Sequence, residues 1–267
     1  MRHGGYSWAV PEVLDRVGRL RGMQGRDPAE KALLSSLTIR MKPPVNPRSV
    51  STRSAGVNEI YRCDLDNGAK AYHKPFSGLD QATAVDYGHF GSNGRAIAWQ
   101  PVHEAAAWQL AKRLGGTWRQ IVCPCVIREV AGRLGSLSQA SPLPVKGGRV
   151  VRSDQFRAAA FFDVLVGQQD RNRGNYFTDG TGGPRVSLYD HGFCFARPGD
   201  DIGTSLLSMP YVGERLLRTE EDALMQIVVT PDLLGMRLAL ATDRANALEK
   251  RARRMLTSGV ILDVGDF

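Results

Sequence analysis

Polar residues that could carry out chemistry are concentrated in the run 169–175, Gln-Asp-Arg-Asn-Arg-Gly-Asn, and at Asp190. The stretch 176–189 between them has two strand-like ends around a glycine-rich turn, which is typical of a β-hairpin. Asn175 would enter this hairpin where Asp190 leaves it, and paired Cα atoms in a hairpin lie about 5 Å apart. We therefore expect these two side chains to converge on one point.

A carboxylate and an amide oxygen at one point form a site for a hard cation. Mg²⁺ takes one or two such protein oxygens and fills its other positions with water and phosphate oxygens. Asp170 adds a carboxylate that can accept the proton of a substrate hydroxyl. Arg171 and Arg173 can either steady the loop or bind phosphate. The pattern predicts a nucleotide-bound metal beside a hydroxyl substrate, and the alternative is a chance spacing of common loop residues.

Two helices are predicted around this loop. Ser153 is a plausible N-cap for an apolar helix that ends near Gly167, directly before the polar run. Earlier in the chain, apolar residues recur every four positions between 101 and 114, which predicts an amphipathic helix. Glu104 lies off its apolar stripe, in the first turn, where the helix dipole favours an acid. From residue 220 onward the chain also has a helical pattern.

Strands are predicted mainly in the first half. Two runs between 58 and 76 flank Asp66-Asn67-Gly68, a hairpin turn that brings Lys74 near the end of the second strand. Further strand-like runs cover 122–127 and 134–138. The proline-rich segment 42–47 lacks backbone donors, so residues 1–50 are interpreted as an N-terminal extension and linker.

Composition limits the classes of function. The chain has 267 residues, of which 42% are apolar, and a net charge of +8 that suits a polyanionic partner. The basic cluster 244–254 is interpreted as a solvated helix face rather than a binding stripe, with Leu248, Met255 and Leu256 in the core. No apolar run predicts a membrane span or a secretory leader, so we expect a soluble, cytoplasmic protein.

The four cysteines are expected to be reduced and buried in strands. Cys123 and Cys125 could begin a zinc site, but no second pair of Cys or His follows at ligand spacing.

The segment 162–175 together with Asp190-His191-Gly192 resembles the catalytic segment of atypical kinases. It is similar to type II phosphatidylinositol 4-kinases, HipA-type bacterial Ser/Thr kinases and the secretory-pathway kinases related to them. The resemblance implies an α+β, two-lobed fold, with a small β-rich N-lobe at 51–140 and a mainly helical C-lobe at 141–267.

The same resemblance implies roles for individual residues. Asp170 matches the catalytic aspartate, and Asn175 and Asp190 match the metal ligands. Lys74 matches the lysine that binds the nucleotide phosphates, and Glu104 the helix glutamate that pairs with it. Two solvated surface charges are the alternative for that pair.

Further nucleotide contacts are implied at the phosphate-covering turn and in the adenine cleft. Gly56 is the single glycine of the turn, whose backbone N–H groups would bind phosphate. The adenine cleft is expected near Ser136 to Gln139. His191 replaces the Phe of the usual Asp-Phe-Gly, a change that is ordinary among atypical members.

The function expected from these features is transfer of the ATP γ-phosphoryl group to a hydroxyl, with Mg²⁺ or Mn²⁺. A protein Ser/Thr acceptor is favoured, including the protein's own loop near Ser205 and Ser208. A phosphoinositide acceptor on an anionic lipid surface, AMP transfer, and a nucleotide-binding pseudokinase are the alternatives. Nucleic-acid binding is disfavoured, because only 7% of the residues are aromatic and no recognition motif is present.

Overall fold

A five-stranded antiparallel sheet dominates the first half of the computed structural model, which describes residues 11–44, 59–78, 99–180, 182–197, 200 and 205–267. The spatial order of its strands is β1-β2-β3-β5-β4. Their bounds are β1 Ile39–Pro44, β2 Tyr61–Leu65, β3 Lys70–Pro75, β4 Cys125–Val130 and β5 Arg133–Gln139. β3 and β5 are therefore interior strands, which places Lys74 well inside the sheet.

The predicted hairpin around Asp66-Asn67-Gly68 is confirmed. Gly68 has a φ of 82°, a left-handed conformation that a glycine adopts without steric cost. β2 and β3 pair in register from Tyr61 opposite His73 to Asp64 opposite Lys70. On the other side of β3, Lys74 lies opposite Ser136 of β5.

The interpretation of residues 42–44 as linker is wrong, because β1 continues through Pro44 and pairs with β2. β1 is an edge strand, where a proline needs no outward N–H partner, and the register shifts between Met41 and Pro44. The rest of the proline-rich segment, 45–47, lies outside the described residues. The lobe boundaries at 50 and 140 stay predictions.

Eight α-helices occur in the described ranges. They are α1 Pro11–Met23, α2 Pro28–Ser35, α3 Gln100–Leu114, α4 Gly116–Ile121, α5 Asp154–Val166, α6 Arg218–Val229, α7 Met236–Ala239 and α8 Thr242–Ser258. Within those ranges no helix combines the length and the apolar character that a membrane crossing requires.

The helix α3 is the predicted helix at 101–114, but it is not amphipathic at the surface. Nearly all of its residues from Gln100 to Ala111 are buried, because β4 and β5 cover one side of it and α1, α4 and α7 cover others. Glu104 lies just beyond the first turn and is also buried. Packing, rather than the helix dipole, determines its surroundings.

The helix α5 begins and ends as predicted. The Ser153 side chain accepts a hydrogen bond from Phe156 N, and Gly167 ends the helix in a left-handed conformation with φ 57°. Its apolar residues lie in one continuous core that also contains α1, α3 and α8. A smaller apolar cluster lies on the other face of the sheet, where Leu33 of α2 covers it.

A second, three-stranded sheet carries the predicted hairpin. β7 Tyr176–Thr178 pairs with β8 Val186–Leu188, as expected, and β6 Val145–Lys146 adds a third strand. Two residues are too few for an alternation pattern, so β6 was not predicted.

The basic cluster on α8 is only partly solvated. Arg244 and Arg251 are buried and donate to backbone carbonyls of the chain segment near residue 195, so the interpretation of 244–254 as one solvated face is wrong for them. Their aliphatic stems pack in the core while the guanidinium groups satisfy carbonyl oxygens. The predicted core positions Leu248 and Met255 are confirmed as buried.

Candidate active site

Lys74 forms two ion pairs that join the sheet to the rest of the site. Its Nζ lies 2.7 Å from Glu104 Oε1 on α3 and 2.8 Å from Asp190 Oδ1, two residues after β8. The side chains of Lys74 and Glu104 are 7% and 5% exposed, and that of Asp190 is 25% exposed. The alternative of two solvated surface charges is therefore excluded.

Burial and charge act against each other in this triad. Burial alone would lower the pKa of Lys74, but the carboxylates of Asp190 and Glu104 outweigh it and raise that pKa above its ordinary value. Burial alone would raise the pKa of Asp190, yet Lys74 holds it below the usual range. Burial prevails at Glu104, whose pKa is raised. Lys74 thus stays charged at neutral pH, and Asp190 is ionised.

Glu104 also holds the Asp-His-Gly segment. Its Oε2 accepts a hydrogen bond from His191 N at 3.0 Å, and His103 Nδ1 lies 3.1 Å from Gly192 O. A Cβ on Gly192 would come within 3.0 Å of Gln100 Oε1, so α3 approaches this backbone closely. The helix and the segment that carries Asp190 are therefore fixed to each other.

Asp170 and Asn175 contact each other directly across their loop. Asn175 Nδ2 donates to the Asp170 backbone oxygen at 2.6 Å and to Oδ2 at 3.2 Å, and Asn172 Nδ2 donates to Asp170 Oδ1 at 2.7 Å. The amide nitrogen of Asn175 is thus used within the loop, and none of the described donors contacts its amide oxygen. That oxygen is the atom that a cation would require.

The hairpin brings Asn175 and Asp190 to the same end of the small sheet, but not directly opposite each other. The ladder runs from Thr178 opposite Val186 to Tyr176 opposite Leu188, and Tyr189 N then donates to Asn175 O at 3.4 Å. Tyr189 is therefore the cross-strand neighbour of Asn175, and Asp190 follows one residue later. Asp190 adopts a left-handed backbone, φ 57°, which aspartate tolerates better than most residues.

Arg171 steadies the loop, the first of the two roles considered for it. This fully buried guanidinium pairs with Asp163 of α5, with Nε 3.0 Å from Oδ2 and Nη2 3.0 Å from Oδ1. Its Nη1 donates to the backbone oxygens of Asn175 and Tyr189, the latter at 2.7 Å. One side chain therefore connects α5 and the loop 170–175 to both strands of the hairpin, at the end where the chain enters and leaves it.

Asp163 was missed in the sequence. The signal was present, because an acid inside the apolar run of α5 has to find a buried partner. Ser205 Oγ donates to Asp163 Oδ2 at 2.8 Å and so connects a third chain segment to this pair.

Ser205 and Ser208 are wrong as acceptor sites. Both are fully buried, and Ser208 Oγ donates to Ser205 O at 3.1 Å. Their hydroxyl groups are used for packing and hydrogen bonding within the fold, so a reacting phosphate has no access to them.

Two of the predicted nucleotide contacts are Gly56 and Gln139. Gly56 lies outside the described residues, in the connection between β1 and β2. Gln139 ends β5 opposite Ala71 and is half-buried, and within the described residues no hydrogen bond joins its side chain to Lys74, Glu104 or Asp190. Their roles stay predictions.

The protein oxygens at this site suit a metal ion that takes most of its ligands from a bound nucleotide and from water. Within the described ranges no group of three or more His, Cys, Asp or Glu side chains is placed to hold a metal ion by itself. Asn175 and Asp190 together offer an amide oxygen and a carboxylate, which suits Mg²⁺ or Mn²⁺ completed by phosphate oxygens and water.

The four cysteines are free and buried, as predicted.

Comparisons with known proteins find similarity at the level of structure. No protein-family model matches the chain, and no curated protein matches it significantly. A crystal structure of the Golgi casein kinase is similar with 13% identity and a TM-score of 0.47, over 93% of this chain and 78% of that one. A second, with Mn and ADP bound, has 15% identity and a TM-score of 0.48, over 86% and 74%. The Helicobacter pylori proinflammatory kinase CtkA has 11% identity and a TM-score of 0.40, over 83% and 93%.

The class of fold is defined by the order of the elements. Lys74 lies on the third strand of the sheet and Glu104 on the next α-helix in the described residues, which is the placement of this ion pair in protein kinases. A loop with Asp170 and Asn175 follows a helix of the second half, and Asp190 follows the hairpin. The protein has an α+β, two-lobed, kinase-like fold, as the sequence predicted.

Proposed function

We propose that this protein is an ATP-dependent phosphotransferase that moves the γ-phosphoryl group of ATP to a protein Ser or Thr hydroxyl. The observation that carries the proposal is the triad in which the buried Lys74 lies between Glu104 and Asp190 at 2.7 and 2.8 Å. A buried ammonium held in this way is a directed point charge suited to phosphate oxygens.

The residues divide the work according to their contacts. Lys74 binds phosphate oxygens, and Glu104 fixes its direction. Asn175 and Asp190 would hold Mg²⁺ or Mn²⁺, which neutralises charge on the phosphates when bound. Asp170, which is half-buried, accepts the proton of the acceptor hydroxyl and orients it.

The test is phosphate transfer from ATP labelled at the γ-phosphate, in parallel with ATP labelled at the α-phosphate. Labelling from γ-labelled ATP alone is the expected result, and it should fall by roughly 10²- to 10⁴-fold in Asp170→Asn, because a positioned base contributes about that much. Asp222→Asn is the matched control, since Asp222 is exposed and pairs with the exposed Arg218 on the same helix, α6.

Other outcomes distinguish the alternatives. Labelling from α-labelled ATP would mean AMP transfer, and ATP binding without any transfer would mean a pseudokinase. Unchanged transfer in Asp170→Asn would refute the role assigned to Asp170.

The acceptor class needs its own assay. γ-Labelled ATP is supplied with phosphatidylinositol vesicles in one reaction and with a cell lysate in another. We expect label in protein; label in lipid with none in protein would replace the protein acceptor by a phosphoinositide.

A further inference from the structure

Glu30 is a fully buried carboxylate on α2 that accepts hydrogen bonds from the neighbouring helix α3. Its Oε1 accepts three hydrogen bonds from α3, from Trp108 Nε1 at 2.9 Å, Gln109 Nε2 at 2.7 Å and Lys112 Nζ at 2.6 Å. Its Oε2 accepts from Gly25 N at 2.8 Å, in the turn before α2. One carboxylate therefore connects α2 to two successive turns of α3.

The Glu30 carboxylate is stabilised in its charged form despite its burial. Burial alone would raise the pKa of Glu30, but Lys112, Gln109 and Trp108 outweigh it and hold that pKa below its ordinary value. The group is ionised at neutral pH and has donors on both oxygens, as a buried charge requires.

Two of the three α3 donors, Trp108 and Lys112, lie toward the side of α3 that carries Glu104, whereas Gln109 lies farther around the helix. With 3.6 residues per turn, Trp108 is one turn and Lys112 about two turns beyond Glu104. Donors on successive turns that meet one fixed oxygen resist both rotation and sliding of the helix. Rotation of α3 would carry Glu104 away from Lys74 and from His191 N, which it contacts at 2.7 and 3.0 Å.

We propose that Glu30 is a positioning residue that holds α3 in the orientation in which Glu104 pairs with Lys74, so that this one carboxylate of α2 supports nucleotide binding through α3. The inference rests on the proposed ATP-dependent function.

Removal of the Glu30 charge leaves α2 docked by other contacts. Gln24 bonds to both the N–H and the oxygen of Ile127 in β4, at 2.9 and 2.7 Å, and Asp27 pairs with Arg119 of α4 at 2.8 Å. Leu33 packs in the apolar cluster on the sheet. Glu30→Gln is therefore expected to fold, with its effect concentrated at α3.

The experiment measures the affinity for ATP with Mg²⁺ by titration calorimetry in Glu30→Gln, Glu104→Gln and the double variant. Glu30→Gln is expected to weaken binding roughly tenfold in the wild-type background and to have little further effect when Glu104 is already replaced, because coupled positions deviate from additivity. Lys112→Gln removes the ammonium that donates to Glu30 Oε1, so it should also weaken the binding of ATP.

A stability control separates positioning from general destabilisation. Leu33→Ala removes core packing from the same helix without touching α3, and it should lower the melting temperature while it leaves the ATP affinity within about twofold. Additive effects of the Glu30 and Glu104 substitutions, or an unchanged affinity in both Glu30→Gln and Lys112→Gln, would overturn the inference alone. Absence of ATP binding in the wild type would overturn the proposed function and this inference with it.

Discussion

At the scale of single residues, the site depends on one cation shared by two carboxylates. Lys74 is almost fully buried, so its desolvation has to be offset by short contacts to Glu104 and Asp190. Asp190 is the more exposed of the two acids and is the one proposed to bind the metal. Glu104 is buried on α3, and its contact with Lys74 keeps that side chain in place.

Asp190→Ala should abolish the stabilisation of the protein by ATP and Mg²⁺, because it removes the carboxylate proposed to bind the metal. In the wild type, ligand at 100 times its dissociation constant adds about 2.7 kcal/mol, enough to raise the melting temperature by several degrees. Thermal-shift measurements with and without EDTA check this, and Asp222→Asn serves as the control that keeps the shift. An undiminished shift in Asp190→Ala would contradict the assignment.

The pH dependence of stability should report the Glu30 contact. Its pKa is depressed in the folded state, so the stability it contributes is present above the ordinary glutamate pKa of about 4.3 and is lost as the pH falls through the lower folded-state value. Glu30→Gln should therefore have a shallower loss of stability on acidification than the wild type, measured by urea unfolding at several pH values. Parallel curves for the two proteins would mean that Glu30 is not held in its ionised form.

At the scale of elements, the hairpin β7–β8 and the loop before it are oriented by one buried ion pair. Arg171 is the centre of this arrangement, since its guanidinium contacts Asp163 on α5 and the backbone oxygens of Asn175 and Tyr189, where the chain enters and leaves the hairpin. The helix α5 thereby helps to set the positions of both proposed metal ligands.

Asp163→Asn should be strongly destabilising, because it leaves the buried Arg171 charge without its partner. Breaking a buried pair costs about 3 to 5 kcal/mol, whereas an exposed pair contributes about 0 to 1 kcal/mol. Urea unfolding of Asp163→Asn and Asp179→Asn tests this, since Asp179 pairs with the exposed Arg185 in the hairpin turn. Equal stability losses in the two variants would show that the Arg171 network does not support the loop.

At the scale of the whole molecule, one apolar core extends from α1 through α3 and α5 to α8. The helical tail is attached to this core by hydrogen bonds as well as by packing. Arg251 Nε donates to Leu165 O at 2.9 Å and its Nη1 to Ala196 O at 2.7 Å, so α8 holds the end of α5 and the segment after Asp190. The tail is thus a structural support of the half that carries the candidate site.

Arg251→Met should lower the free energy of unfolding by more than 1 kcal/mol, because each buried carbonyl left without a donor costs about 1 to 3 kcal/mol. The matched change Arg253→Met, on the exposed side of the same helix, removes a surface pair with Glu249 and should cost about 1 kcal/mol or less. Chemical unfolding of both variants gives the comparison. An unchanged free energy of unfolding in Arg251→Met would mean that α8 is held by its apolar residues alone.

Local physical chemistry was enough to place several elements from the sequence alone. Asp66-Asn67-Gly68 specifies a turn because of its backbone preferences, and Ser153 and Gly167 specify the ends of α5 because capping involves neighbours only. The hairpin before Asp190 followed from its glycine-rich turn in the same way. These signals operate over a few residues, so a single sequence contains them in full.

Contacts between distant parts of the chain were decided only in the tertiary structure. Three such contacts join residues from different elements: the buried pair of Asp163 and Arg171, the hydrogen bond from Arg251 to Leu165 O, and the hydrogen bonds from α3 to Glu30. A charged residue in a helical pattern has the same local appearance whether it is solvated or buried with a partner. Which of the two occurs depends on how the elements pack, and that packing made Glu104 part of a buried triad and Ser205 part of the interior.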